Sequence, residues 1–151
     1  FIVSRLNDPH EAADILHDVF MDIWRGAASF EGRSQVRTWI FGIAYRKVID
    51  MHRKRARVTV TDDVPEPADA AEGAEAGYAA RQEAEHLRFC VDALKDDHRV
   101  AITLAFYEDM TVAEIAEVAG VPEGTIKSRL HHARKLLLHC LSGRIGARSP
   151  A

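Results

Sequence analysis

The stretch TVAEIAEVAGVPEGTIKSRLHHAR, residues 111–134, decides the fold of the C-terminal part of the chain. Thr111 and Glu114 stand three residues apart ahead of an apolar run, which is the pattern of a capping box at a helix start. Gly120 permits the positive φ of a tight turn, and Pro122 is placed to open the next helix. A short helix, a glycine turn and a longer helix predict a helix-turn-helix.

The second helix of this motif is the candidate DNA reader, because in a helix-turn-helix it enters the major groove by its N-terminal end. Between Gly124 and Cys140 the sequence holds four Lys or Arg and no acidic residue. Arg suits guanine edges, while Lys and Ser suit phosphates. A merely solvated basic face is the alternative, but the capping box, the turn and the one-sided charge together favour DNA binding. The candidate residues are Thr125, Lys127, Ser128, Arg129, His131, His132 and Arg134.

Two amphipathic helices are predicted upstream, at about residues 9–27 and 35–56. Asp8 is the expected N-cap of the first, with a proline directly after it, and Ser34 is a plausible N-cap of the second. Their apolar stripes, including Trp24 and Trp39, are expected to lie in the core. The second helix ends in a basic run that is by itself as easily a solvated face as a nucleic-acid contact. The run contains Arg46, Lys47, Arg53, Lys54, Arg55 and Arg57.

Composition and charge predict an all-α protein with two small helical domains and a flexible acidic linker. The chain has 151 residues, of which 47% are apolar, and its net charge is −3. Lys and Arg outnumber acids by 10 to 7 in residues 1–60 and by 6 to 5 in residues 101–151, but acids lead by 11 to 4 in residues 61–100. The predicted organisation is a domain at 1–57, a linker at 58–81, a helix-turn-helix domain at 82–142 and a disordered tail at 143–151.

Several functional classes have no support in the sequence. Cys90 and Cys140 are the only cysteines and form no CxxC motif, which predicts free thiols in a reducing compartment and no zinc site. The eight histidines show no metal-ligand spacing, so no metal and no cofactor are expected. No catalytic arrangement, membrane span or signal peptide is visible. The chain begins with Phe1 on what looks like the tail of a helix, so an N-terminal truncation is expected.

Three stretches, taken together, resemble the extracytoplasmic-function (ECF) sigma factors of bacterial RNA polymerase. Residues 13–24 (ADILHDVFMDIW) resemble their polymerase-clamp-binding helix. Residues 30–40 (FEGRSQVRTWI) resemble their specificity loop and the start of the helix that reads the −10 promoter element. Residues 124–131 (GTIKSRLH) resemble their −35 recognition helix. The resemblance covers about residues 1–57 and 85–140, in the family's order.

The resemblance implies a promoter-reading subunit and assigns sites to residues. The C-terminal domain would read the −35 element as duplex through the candidate residues named above, and a flipped −10 base would rest against the 30–37 loop. The implied partners are the polymerase core clamp, promoter DNA and an anti-sigma factor, in the bacterial cytoplasm or held at the membrane by that factor. The −10 candidates are Arg33, Ser34, Arg37, Arg46, Lys47, Arg53 and Lys54. The clamp-binding candidates are Asp14, His17, Asp18, Phe20, Met21 and Trp24.

Three positions depart from the family's pattern. Arg46 stands where the family often has Asn, which changes the expected −10 base preference. His17 replaces a frequent Gln on the clamp-binding helix. His132 replaces a frequent Arg on the recognition helix and weakens one DNA contact or makes it pH-dependent.

Two other functions stay open at this point. A sigma-like decoy would bind an anti-sigma factor and never contact DNA, but it has no need of the cations Lys127, Arg129 and Arg134. An ordinary helix-turn-helix regulator leaves residues 9–57 unexplained. For a sigma factor, the linker predicts two compact domains that move independently when the chain is free.

Overall fold

The computed structural model describes residues 1–6, 8–58 and 78–146. The described residues form α-helices and one short 3-10 turn, Ala27–Ser29, and contain no strand. The all-α prediction is therefore confirmed. The helices, numbered in chain order, are α1 Ile2–Arg5, α2 Pro9–Gly26, α3 Val36–Val58, α4 Tyr78–Asp92, α5 Asp96–Phe106, α6 Val112–Ala119 and α7 Glu123–Gly146.

Local capping explains where α2 begins. The Asp8 side chain accepts a hydrogen bond from the backbone N–H of His10 at 2.8 Å, and Pro9 occupies the first helical position, where no N–H is needed. The helix ends at Gly26, one residue before the predicted end.

The helix-turn-helix forms as the sequence predicts. The Thr111 N–H donates to Glu114 Oε2 at 2.7 Å, and the Glu114 N–H donates to the Thr111 hydroxyl, which completes the capping box of α6. The hydrogen bond from the Thr111 backbone lowers the pKa of Glu114. Gly120 adopts φ 65°, the left-handed conformation that favours glycine. The chain can therefore turn at once into α7.

Two apolar cores hold the helices together, one in each half of the chain. The N-terminal core joins α1, α2 and α3, and the C-terminal core joins α5, α6 and α7 with Leu94, which follows α4. Leu104, Ile115 and Ala133 are fully buried in the second core. The N-terminal core contains Ile2, Leu6, Ala12, Val19, Ile43, Ala44 and Val48. The C-terminal core contains Leu94, Val100, Ala101, Ile102, Leu104, Met110, Ile115, Ala116, Val118, Ile126, Leu130 and Ala133.

The two helical units pack against each other, with α3 lying on α6. Phe1, Phe41 and Tyr45 of the N-terminal unit pack against the C-terminal core, and the rings of Phe1 and Phe41 meet edge to face at 5.8 Å. The sequence predicts units that move independently, whereas here they share an interface. The physical reason is a second apolar face on α3, beside the face that fills the N-terminal core. We call this packing the closed arrangement.

The helices α4 and α7 each extend by one turn into a stretch that the sequence predicts to be linker or tail. The described part of the chain resumes at Tyr78, where α4 begins inside the predicted linker 58–81. At the other end, α7 continues to Gly146, inside the predicted tail 143–151. The rest of the predicted linker and tail, 59–77 and 147–151, lies outside the described residues.

The two cysteines are bonded to each other, and the prediction of free thiols is wrong. A disulfide joins Cys90 of α4 to Cys140 of α7, with the Cα atoms 5.9 Å apart. The two positions are 50 residues apart in sequence, so only the side-by-side packing of α4 and α7 brings them together. The inference of a reducing compartment, which depended on free thiols, loses that support.

Opening this disulfide is expected to lower the free energy of unfolding by about 2–4 kcal/mol, because the bond closes a long loop and restricts the unfolded chain. Urea unfolding followed by circular dichroism, with and without a dithiol reductant, measures the effect. The variant with Cys90→Ala and Cys140→Ala is the control, since the reductant cannot alter it. An equal unfolding midpoint for the wild type in both conditions would contradict the prediction.

Candidate nucleic-acid and polymerase interfaces

The start of α7 separates a buried face from an exposed polar face. Ile126, Leu130 and Ala133 are buried against α5 and α6, which fixes the rotation of the helix. The opposite side is left to solvent, as a DNA-reading helix requires. The exposed predicted residues are Lys127, Ser128, His131, His132 and Arg134.

Arg129 is the exception among the predicted cations of α7. Its guanidinium donates to Asp97 Oδ2 of α5 at 2.7 Å, and its side chain is only 19% exposed. Tyr45 of α3 lies nearby, and burial, followed by the charge of Asp97, raises the pKa of its phenol. The Arg129 side chain is therefore held against α5, close to α3, and only a small part of it reaches solvent. Thr125, the first of the predicted residues, is half-buried.

The predicted −10 residues of α3 fall on different sides of the helix. Arg46 and Arg53, seven residues apart and therefore on one side, are exposed. Lys47 and Lys54 share the neighbouring side, where Lys47 Nζ meets Asp22 Oδ2 of α2 at 2.8 Å. The hydrogen bond from Lys47 lowers the pKa of Asp22. These four cations thus lie on two neighbouring sides of α3, where Lys47 is paired with Asp22 and Arg53 lies 3.8 Å from the Asp50 carboxylate; together we call them the basic face of α3.

Arg37 lies apart from that basic face. Its guanidinium donates to the backbone carbonyl of Glu108 and lies 3.3 Å from the Glu108 carboxylate, so it contacts the C-terminal unit. Upstream of α3, Arg33 forms an exposed ion pair with Glu31, and Ser34 is half-buried. The structure therefore brings four of the seven −10 candidates together and places Arg37 in the interface between the units.

The outer side of α2 carries exposed apolar side chains. Trp24 is 83% exposed and Phe20 61% exposed, with Leu16 and Met21 beside them. The expectation that Trp24 lies in the core is wrong: the apolar stripe of α2 is wider than the core it meets, and only Ala12 and Val19 are fully buried. The polar clamp-binding candidates Asp14, His17 and Asp18 are exposed on the same helix. Clustered exposed aromatic residues mark a protein-binding face.

A second apolar surface, which the sequence did not reveal, is a groove between α4, α5 and α7 with a volume of about 460 Å³. Arg134, the cation among the described lining residues, lies over the ring of Phe106 at 5.4 Å from its centroid. The sequence signal was faint, because an inward-facing pattern does not distinguish a core from an open groove. The groove is lined by Leu87, Val91, Ile102, Phe106, Tyr107, Arg134, Leu137, Leu138 and Leu141.

Arg5 is a further residue that sequence reasoning missed. It lies in α1 on the same side as Ile2 and Leu6, and its side chain is fully buried. Its Nη2 donates to Asp96 Oδ1 of α5 at 2.9 Å. An arginine on the apolar face of a helix was the available signal for a polar contact between units.

Neither a metal centre nor a membrane span is found in the part of the chain that the structure describes. No three His, Cys, Asp or Glu side chains there group as metal ligands. None of the described helices combines the length and the hydropathy needed to cross a bilayer.

A helix-turn-helix, a basic helix face and an exposed aromatic face together define an all-α nucleic-acid-binding protein that also docks on another protein. Family comparison agrees with this class. The family model described as "Sigma-70 region 2" matches residues 1–58, and the one described as "Sigma-70, region 4" matches residues 85–137.

Curated relatives span most of the chain. The ECF RNA polymerase sigma factor RpoE of Cereibacter sphaeroides is 35% identical over 140 residues, covering 88% of this chain and 74% of the relative. The RNA polymerase sigma factor YlaC of Bacillus subtilis is 28% identical over 147 residues, covering 89% and 79%. The chain therefore belongs to the ECF group of the sigma-70 family of RNA polymerase sigma factors. Members of this family are transcription regulators.

Solved structures resemble the chain along nearly its whole length. The sigma factor RpoE from Bartonella quintana, crystallised in complex with the anti-sigma factor NepR, has a TM-score of 0.74 and 30% identity, covering 93% of this chain and 87% of that one. CnrH, solved with the cytosolic domain of CnrY, shares the fold at a TM-score of 0.61 and 23% identity, covering 94% and 75%.

Proposed function

We propose that this protein directs RNA polymerase to specific promoters as an ECF sigma factor. The N-terminal unit docks on the polymerase clamp through α2 and reads the −10 element with α3. The C-terminal unit reads the −35 element with the start of α7. The observation that carries the proposal is the presence, in one chain, of two separate cationic helix faces and one exposed aromatic face.

The polymerase contact is assigned to the outer side of α2. Trp24 and Phe20 expose large rings that no part of the N-terminal core covers. Aromatic side chains of this kind dominate binding energies when a partner buries them. The neighbouring carboxylates Asp14 and Asp18 supply the polar rim that favours a basic docking surface.

Promoter contact is assigned to two basic surfaces that differ in character. On α3, Arg46, Lys47, Arg53 and Lys54 follow one another along the helix for about 12 Å at 1.5 Å per residue. Such a row suits the phosphates of a melted strand, while the preceding 30–37 loop suits a flipped base. On α7, Ser128 and Lys127, which lies 3.6 Å from the Glu123 carboxylate, are exposed and can meet the major groove of a duplex.

The apolar groove of the C-terminal unit is assigned to an anti-sigma factor. A helix with an apolar face fits a groove lined by leucines and aromatic rings, and an acidic side chain at its edge would meet Arg134. The similar Bartonella quintana sigma factor was solved with an anti-sigma partner, which supports this class of occupant. We place the protein in the bacterial cytoplasm, where an anti-sigma factor anchored in the membrane would hold it inactive.

Run-off transcription with purified core polymerase on a pool of genomic promoters tests the function. The wild-type chain is expected to give specific transcripts. Lys127→Glu should reduce them about tenfold, because it removes an exposed cation from the −35 reader and adds a charge that repels phosphate.

Arg81→Glu is the matched control, since it makes the same charge change at an exposed position of α4 away from both basic surfaces. Intact polymerase binding without any transcripts would contradict the proposal. Tight binding to an anti-sigma factor without transcription would indicate a decoy.

A further inference from the structure

The interface between the two units contains a buried charge with too few partners. The Arg5 side chain has no exposed surface, and its one hydrogen bond goes to Asp96 Oδ1. Two of its donor groups, Nε and Nη1, are buried without a partner. Burial, and then the charge of Arg99, lower the pKa of this guanidinium. A buried donor that loses water and gains no acceptor destabilises the structure that buries it.

The carboxylate of Asp96, which accepts a hydrogen bond from Arg5, also has other basic side chains close to it. Asp96 Oδ1 also accepts from Arg99 Nη2 at 2.9 Å, and the half-buried His52 of α3 has an unpartnered Nε2 close to the same group. Burial lowers the pKa of His52, with Asp96 opposing it and the nearby Arg5, Arg99 and Arg55 acting in the same direction as burial. One carboxylate therefore accepts hydrogen bonds from two arginines, and both arginines keep buried nitrogen donors without a partner.

The remaining contacts between the units are favourable. Phe41 and Tyr45 bury aromatic surface against the C-terminal core, and Arg37 bonds to Glu108 near the edge of the interface. The closed arrangement is thus the balance of an apolar contact that stabilises it and a poorly satisfied arginine that opposes it. Replacing such a buried charge by an apolar side chain of similar volume often stabilises the contact.

The closed arrangement cannot span a promoter. The −10 and −35 elements lie about 25 base pairs apart by their positions, which is about 85 Å at 3.4 Å per base pair. A compact chain of this length is only about 40 Å across. Moreover, the −10 candidate Arg37 is bound to the C-terminal unit in this state.

We propose that Arg5 keeps the contact between the two units, which we call the latch, weak enough to open. The latch consists of Arg5 with Asp96, Arg37 with Glu108, and the packing of Phe41 and Tyr45. This inference rests on the proposed function, since opening matters because the two units must read separated promoter elements. Arg5 acts through Asp96 and does not touch DNA.

Intramolecular energy transfer measures the latch directly in the full chain. Dyes attached through non-natural amino acids at the exposed positions 14 and 117 report the distance between α2 and α6. Their transfer efficiency is followed in urea below the unfolding transition, which circular dichroism monitors separately. Arg5→Met is expected to shift the closed-to-open ratio at least tenfold toward closed. Asp96→Asn removes the carboxylate that pairs with Arg5 and should shift the ratio about tenfold toward open.

Arg88→Met is the matched control, because it changes an exposed arginine of α4 in the same way, and its ratio should stay within about twofold of the wild type. An Arg5→Met ratio equal to that of the control, or shifted toward open, would overturn the latch. A wild-type chain whose units are already apart without urea would overturn it too. The dyes report without polymerase or DNA, so a wild type that gives no transcripts would refute the proposed function alone.

Discussion

A chain that carries Phe20→Ala together with Trp24→Ala is expected to bind core RNA polymerase several hundredfold more weakly than the wild type. Both rings project from α2 into solvent, and they are the largest exposed apolar groups of the N-terminal unit. Truncating a central aromatic anchor of an interface weakens binding by about 2 kcal/mol or more. Two such free-energy losses add, so the corresponding factors in affinity multiply. Fluorescence anisotropy of the labelled chain, titrated with core polymerase, measures the effect.

The fold should survive these two substitutions, because neither ring belongs to the N-terminal core. Circular dichroism checks this point before affinities are compared. Val3→Ala is the control, since Val3 is 72% exposed on α1 and lies outside the proposed docking face. Unchanged affinity in a folded double variant would remove α2 from the polymerase interface.

Leu104→Ala is expected to lower the free energy of unfolding by about 3–5 kcal/mol. Leu104 has no exposed surface and lies in the C-terminal core between α5 and the helix-turn-helix. Removing it loses transfer energy and leaves a cavity that the packed helices fill only in part. Domains of this size have total stabilities of about 5–15 kcal/mol, so the substitution removes a large share. Urea unfolding followed by circular dichroism gives the value.

The matched control for this core substitution is Leu136→Ala on α7, where Leu136 is 49% exposed. It removes the same atoms from a site that solvent already reaches, so the loss should stay below about 1 kcal/mol. Equal losses for the two leucines would show that Leu104 is not central to the core.

Local chemistry made the helix-turn-helix predictable. Thr111, Glu114 and Gly120 act on backbone groups within a few residues of themselves, so their roles can be deduced from spacing alone. The same holds for Asp8 and Pro9 at the start of α2. The fold of the C-terminal unit could therefore be derived from its shortest-range contacts.

Contacts between distant parts of the chain could not be predicted in this way. Arg5 and Asp96 are separated by 91 positions and the two cysteines by 50, and no periodic pattern links either pair. The exposure of Trp24 was missed for a related reason: periodicity locates an apolar face but does not tell how much of that face the core covers.

The ion pair between Arg129 and Asp97 changes how the DNA affinity of the C-terminal unit depends on ionic strength. Duplex binding releases counterions in proportion to the protein cations that neutralise phosphates, and each contact steepens the dependence of affinity on salt. Four cations lie between Gly124 and Cys140, but Arg129 is already paired with a carboxylate 2.7 Å away, and Lys127 lies 3.6 Å from the Glu123 carboxylate. The start of α7 therefore offers the phosphates fewer unpaired charges than its sequence suggests, and its affinity for duplex DNA depends correspondingly less on salt concentration.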